Sequence, residues 1–178
     1  MRICLRQSLT VVAALLAGIC ATAACAHSAS DAYLTLSTDR HASRGTTLVH
    51  AQWDVALRDL DFVLALDADG AGALPWSEVR AQQVAIARYV YSAMKVRGDA
   101  AACQVVPTAQ KIDQHADGAY AALLFDIACT SEAKALVLDY GLFFAVDPSH
   151  RGIVVMQSRE GVATALVAPD HATVRWTP

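Results

Sequence analysis

The segment from Asp67 to Glu78, reading Asp-Ala-Asp-Gly-Ala-Gly-Ala-Leu-Pro-Trp-Ser-Glu, carries the sharpest chemical signal in the chain. Asp67, Asp69, Gly72, Leu74 and Glu78 fall at positions one, three, six, eight and twelve of an EF-hand calcium loop. The spacing has a physical reason. Asp67 and Asp69 supply carboxylate oxygens, Gly72 permits the sharp bend, the Ala73 carbonyl turns inward, and Glu78 closes the sphere with both oxygens. Leu74 would pack the loop onto the core. Ala71 and Pro75 stand at positions five and nine and offer no side-chain oxygen, so waters must fill both places. Fewer carboxylates mean weaker binding, at roughly 10⁻⁴ to 10⁻³ M, the range of extracellular calcium modules. The alternative reading is a degenerate loop that keeps its turn geometry and holds no ion.

The histidines suggest a second chemistry. With cleavage after Ala26, His27 becomes the first residue, and its free amine beside the imidazole can chelate copper or nickel. Further ligands to such a transition metal would be His115, in Asp113-Gln114-His115-Ala116-Asp117, and His150, in Asp147-Pro148-Ser149-His150-Arg151. The ordinary reading of both is a surface or capping histidine in a turn. A hydrolase built from Asp, His and Ser side chains is the enzymatic alternative, but the sequence carries no Gly-x-Ser-x-Gly elbow and no His-Glu-x-x-His. The reading is therefore non-enzymatic, with no catalytic residues assigned.

Cleavage after Ala26 is itself an inference from the first residues. Arg2 and Arg6 precede an uncharged run from Leu9 to Ala24, which closes on the small-x-small pattern Ala24-Cys25-Ala26. Residues 1–26 read as a signal peptide and 27–178 as one exported globular domain, periplasmic or extracellular. Lipoprotein processing at Cys25, after Thr22-Ala23-Ala24, is the rival. Beyond residue 26 no apolar run reaches the length of a membrane span, because Lys134 and Asp139 interrupt the most hydrophobic stretch. Without Arg2 and Arg6 the chain holds 12 basic and 17 acidic residues, a net charge of −5 with neutral histidines, which argues against nucleic acid as a partner. Export leaves Cys103 and Cys129, an even pair in an oxidising compartment, and they are expected to form a disulfide joining the end of a long helix to the strand that ends near Ile127.

The elements that must position these groups follow from hydrophobic period. Tyr33 to Ser37 and Thr46 to Leu57 read as strands around a polar turn. Asp59 would cap a short helix from Leu60 to Leu66, and Pro75 would open a long one from Trp76 to Val96, with Val79, Ile86, Val90 and Ala93 on its buried face. From Gln104 onward the period is two. Leu123, Phe125 and Ile127 follow the Asp117-Gly118 turn, and further strands are expected at Ala135 to Tyr140, Leu142 to Val146, Ile153 to Gln157, Val162 to Val167 and Thr173 to Trp176. The fold class is α+β: an antiparallel β-sandwich-like domain with an inserted helix, EF-hand-like loop and helix.

The chain also resembles the exported N-terminal domain of HupE/UreJ-like membrane proteins, a family associated with nickel and cobalt uptake. The resemblance spans roughly His27 to Val167. Ala26-His27 with Asp31-Ala32-Tyr33-Leu34 begins it, Gln52 to Asp61 and the acidic loop ending Trp76-Ser77-Glu78 follow, and His115 to Tyr120 with Leu142 to Gly152 complete it. It implies an exported accessory domain that works beside a membrane permease-like protein. No permease segment lies within residues 27–178, so transport itself is not assigned to this chain.

Overall fold

The computed structural model describes residues 30–38, 45–67, 70, 74–99 and 101–178. Strands β1 (Asp31–Thr38) and β2 (Thr47–Ala56) pair antiparallel, with Leu34 opposite Trp53. Their alternation is that of half-buried strands: Ala32, Leu34 and Leu36 are buried, while Tyr33, Thr35 and Ser37 lie half-exposed on the other face. Three helices follow among the described residues, α1 (Leu57–Leu64), α2 (Trp76–Ala81) and α3 (Gln83–Ser92). The rest is β: β3 (Met94–Arg97), β4 (Gln104–His115), β5 (Gly118–Cys129), β6 (Leu136–Tyr140), β7 (Arg151–Ser158), β8 (Gly161–Val167) and β9 (Thr173–Trp176).

Six strands form one sheet in the order β4-β5-β2-β1-β7-β8, and three form another in the order β3-β6-β9. The larger sheet is mixed and not wholly antiparallel, because β1 and β7 run parallel, with Leu34 beside Val154. No local signal encodes that pairing, since the two strands are joined by most of the chain. The sheets meet through aromatic rings. Trp53 of β2 lies 5.2 Å from Tyr140 of β6 between ring centroids. Tyr140 also covers Gly152 of β7 so closely that a Cβ there would stand 2.6 Å from Tyr140 Cζ and 2.5 Å from Val167 Cγ2. Glycine at 152 is a packing requirement. On the helical side, Ile86 and Val90 of α3 are fully buried, and Tyr91 meets Phe125 of β5 edge-on at 5.3 Å.

Several elements depart from expectation. The first helix starts at Leu57, so Asp59 sits in its first turn instead of capping it. The long helix is broken at Gln82 and ends at Ser92, and Met94–Arg97 forms an edge strand paired with Leu136–Tyr140. Met94 and Val96 are buried between exposed Lys95 and Arg97, a period-two pattern too short to outweigh the helical one read from sequence. Leu142 to Val146 is a run of turns, with Phe143 in the left-handed region at φ 59° and its carbonyl accepting from Val146 and Asp147. Buried Leu142 and Phe143 make that turn look like a strand in sequence. Cys103 and Cys129 form the expected disulfide at a Cα–Cα distance of 4.4 Å. It does not start at the end of the long helix: because Gln104 pairs with Ala128, the bridge staples the open end of the β4–β5 hairpin. The disulfide points to an oxidising, non-cytoplasmic compartment. Among the described residues, no helix is long and apolar enough to cross a membrane.

Candidate functional site

The candidate calcium loop is held at both ends. At its entrance, Ala65 takes a left-handed conformation (φ 50°) and its N–H donates to the Asp61 carbonyl at 2.7 Å, closing α1. Leu66 is then buried, and the Asp67 backbone N–H donates to Asp61 Oδ1 at 2.8 Å, fixing the first loop residue to the helix that precedes it. Gly70 has φ 69°, a conformation that favours glycine. At the exit Leu74 packs against the core, Pro75 precedes α2, and Glu78 lies in the first turn of that helix. Asp69 and Ala73 lie outside the described residues, as does His27. Beside the loop, Arg58, Asp61, Asp67, Leu74 and Asp117 line a cavity of about 410 Å³.

His150 is the other notable side chain. It precedes β7 and is fully buried, which is neither the surface position nor the capping role ordinarily expected of a turn histidine. Ser30, just ahead of β1, places its Oγ 2.7 Å from His150 Nδ1 and donates its hydroxyl to Asp59 Oδ2 at 2.9 Å. With that proton committed, Ser30 Oγ accepts from Nδ1–H, and Nε2 accepts the Tyr140 hydroxyl at 2.9 Å. Every donor in the Tyr140–His150–Ser30–Asp59 chain is used. Burial pushes the imidazole down to about 4, with Asp147 acting against it and Arg151 with it, so His150 is neutral near pH 7. Burial likewise raises the Asp59 carboxyl, although Ser30 and Arg58 oppose the rise. The Tyr140 phenol is pushed up, chiefly by burial.

His115 ends β4 and belongs to a different cluster. Its ring stacks on Tyr120 at 4.1 Å and lies 5.6 Å from Tyr33, with Nε2 4.0 Å from Asp54 Oδ2. Asp54 is buried, which raises its carboxyl, while the Gln52 amide donates to both of its oxygens at 2.8 and 3.0 Å and moderates the shift. Tyr120 donates to Asp117 Oδ2 at 2.8 Å and holds that carboxyl below its ordinary value. Arg58 joins the two clusters, with Nε 3.5 Å from Asp59 Oδ1 and Nη2 3.7 Å from Asp117 Oδ2.

No family model matches the chain, and no curated protein matches it significantly. Function must therefore be argued from these groups. His115 and His150 do not converge: one stacks on tyrosines at the β4–β5 turn, the other is sealed between Ser30 and Tyr140. Both ring nitrogens of His150 are engaged, which leaves neither to a metal in this arrangement. Among the described residues, no three His, Cys, Asp or Glu side chains are grouped to hold an ion. Nothing in the sequence signals that Ser30 and Tyr140 meet His150, and Asp59 reads there only as a cap. Ser30 and His150 lie 120 positions apart and come together through the parallel β1–β7 pairing, which sequence period does not reveal.

Proposed function

We propose that this chain is an exported, non-enzymatic accessory domain that binds calcium weakly through the loop from Asp67 to Glu78. One observation carries the reading: α2 begins at Trp76, the tenth loop position, so Glu78 stands in its first turn, where a calcium loop needs its closing bidentate carboxylate. The link from Asp67 N–H to Asp61 fixes the opposite end. The loop and its two helices would then form a unit inserted into a sandwich-like β scaffold. The resemblance to HupE/UreJ-like exported domains supports a membrane permease-like partner, and the disulfide supports export.

Catalysis is not part of this reading. Ser30 is no activated nucleophile, because its hydroxyl donates to Asp59 and its oxygen accepts a hydrogen bond from His150 Nδ1–H, which leaves the imidazole unable to act as its base. A transition-metal role for His27 would have to recruit ligands other than His150. The test uses terbium in place of calcium. Trp76 lies inside the loop, so excitation of tryptophan should sensitise terbium bound there, and millimolar calcium should quench the signal by displacement. Emission unchanged in Glu78→Gln would overturn the proposal.

A further inference from the structure

The larger sheet ends in β8, and among the described residues no strand lies along its outer edge. Sheet edges are ordinarily defended by charge, proline, a bulge or brevity. Gly161-Val162-Ala163-Thr164-Ala165-Leu166-Val167 has no charge or proline, pairs with β7 in unbroken register, and carries Val162 at 69% and Leu166 at 62% exposure.

The backbone polarity of that edge is set by a hydrogen bond on the far side of β7. Arg151 N–H donates to the Ser30 carbonyl at 3.0 Å, so odd-numbered β7 residues address β1 and even-numbered ones address β8. Gly152 pairs with Val167, Val154 with Ala165 and Met156 with Ala163, so the odd-numbered β8 residues spend their backbone groups on β7. Val162, Thr164 and Leu166 therefore turn their N–H and C=O groups outward. Their side chains share the solvent face with half-exposed Ile153 and Val155, opposite the face that buries Val154 and Met156.

We infer that β8 pairs antiparallel with β8 of a second copy of this chain, about a two-fold axis at Thr164, joining two sheets into one. The strand is nearly palindromic in kind, a large apolar residue, Ala, Thr, Ala and a large apolar residue, and this selects a second copy over an unrelated peptide. Pairing about Thr164 sets Val162 opposite Leu166 of the other copy and Leu166 opposite Val162. All three outward-facing residues of each strand then find hydrogen-bonded partners in phase, and the two exposed apolar side chains cover each other twice. The charges agree with the same register. Nothing charged lies between Gly161 and Val167, so the pairing brings no like charges together along the strand.

Sedimentation equilibrium of the mature chain should show a concentration-dependent dimer. Thr164→Lys, an exposed position whose side chain touches no core, places like charges face to face and should weaken the dimer at least about tenfold while leaving the circular dichroism spectrum unchanged. Thr164→Cys should form an intermolecular disulfide on mild oxidation, because the hydrogen-bonded pair at the axis sets its two Cα atoms about 5.5 Å apart, within disulfide reach. Ala81→Cys, exposed on α2, should not. A mature chain that is monomeric at every concentration, a dimer indifferent to Thr164→Lys, or Thr164→Cys cross-linking no faster than Ala81→Cys would each overturn the inference.

Discussion

His150 should make the fold acid-sensitive, and the size of the effect can be worked out in advance. Its imidazole titrates near the ordinary 6.5 in the unfolded chain and is pushed down to about 4 in the fold by burial. Between those values the unfolded chain holds a proton that the folded chain does not, so stability falls as pH falls through this window and levels off below it. At about 1.4 kcal/mol for each pKa unit, the loss from pH 7 to pH 4 is about 3 kcal/mol. The charged and titratable groups around the ring are Asp147, Arg151, the Tyr140 phenol on Nε2 and, through Ser30, Asp59. Asp59 works in the opposite sense: its carboxyl is raised in the fold by burial, so it adds stability as pH falls through its folded value. Comparison with His150→Gln separates the two, because the variant keeps Asp59 and loses the imidazole. At pH 7 the variant should be less stable by about 1 to 3 kcal/mol, having lost the paired hydrogen bonds to Ser30 and Tyr140. Urea unfolding at pH 7, 6, 5 and 4 should show that deficit shrinking by about 3 kcal/mol and reversing sign near the acid end. A deficit that stays constant across the range would refute the buried, neutral histidine.

Two further outcomes follow from the packing. Gly152→Ala should lower the melting temperature by roughly 3 to 10 °C, since its Cβ would collide with Tyr140 and Val167 at the seam of the two sheets. Removing both cysteines, as Cys103→Ser with Cys129→Ser, should cost about 3 to 4 kcal/mol for a bridge spanning 26 positions, measured by urea unfolding, and reductant should then change nothing further.

Most of the strands were legible from alternation alone, and their bounds in the structure differ little from expectation: β1, β2, β7, β8 and β9 all carry buried residues at every second position or turn signals at both ends. The errors share a cause. Met94 to Arg97 continues the helical period of the segment before it, and only its pairing with Leu136–Tyr140 makes it a strand. Leu142 to Val146 looks like a strand because Leu142 and Phe143 are buried, Phe143 against Tyr89 and His150, and not because the segment pairs with a neighbour. The site was less legible than the fold. The loop spacing is local and readable, whereas the Asp59–Ser30–His150–Tyr140 chain draws on α1, the start of β1, the turn before β7 and β6. A buried histidine of that kind looks like a ligand in sequence, and only its partners identify it as part of the packing.

Calcium binding itself is tested most directly by titration calorimetry on residues 27–178 and two variants. The account predicts a dissociation constant of roughly 10⁻⁴ to 10⁻³ M for the natural sequence, no measurable heat for Glu78→Gln, and at least severalfold tighter binding for Ala71→Asp, which restores the carboxylate missing at the fifth loop position. Equal behaviour of all three chains would contradict it and leave the segment from Asp67 to Glu78 as a turn without an ion.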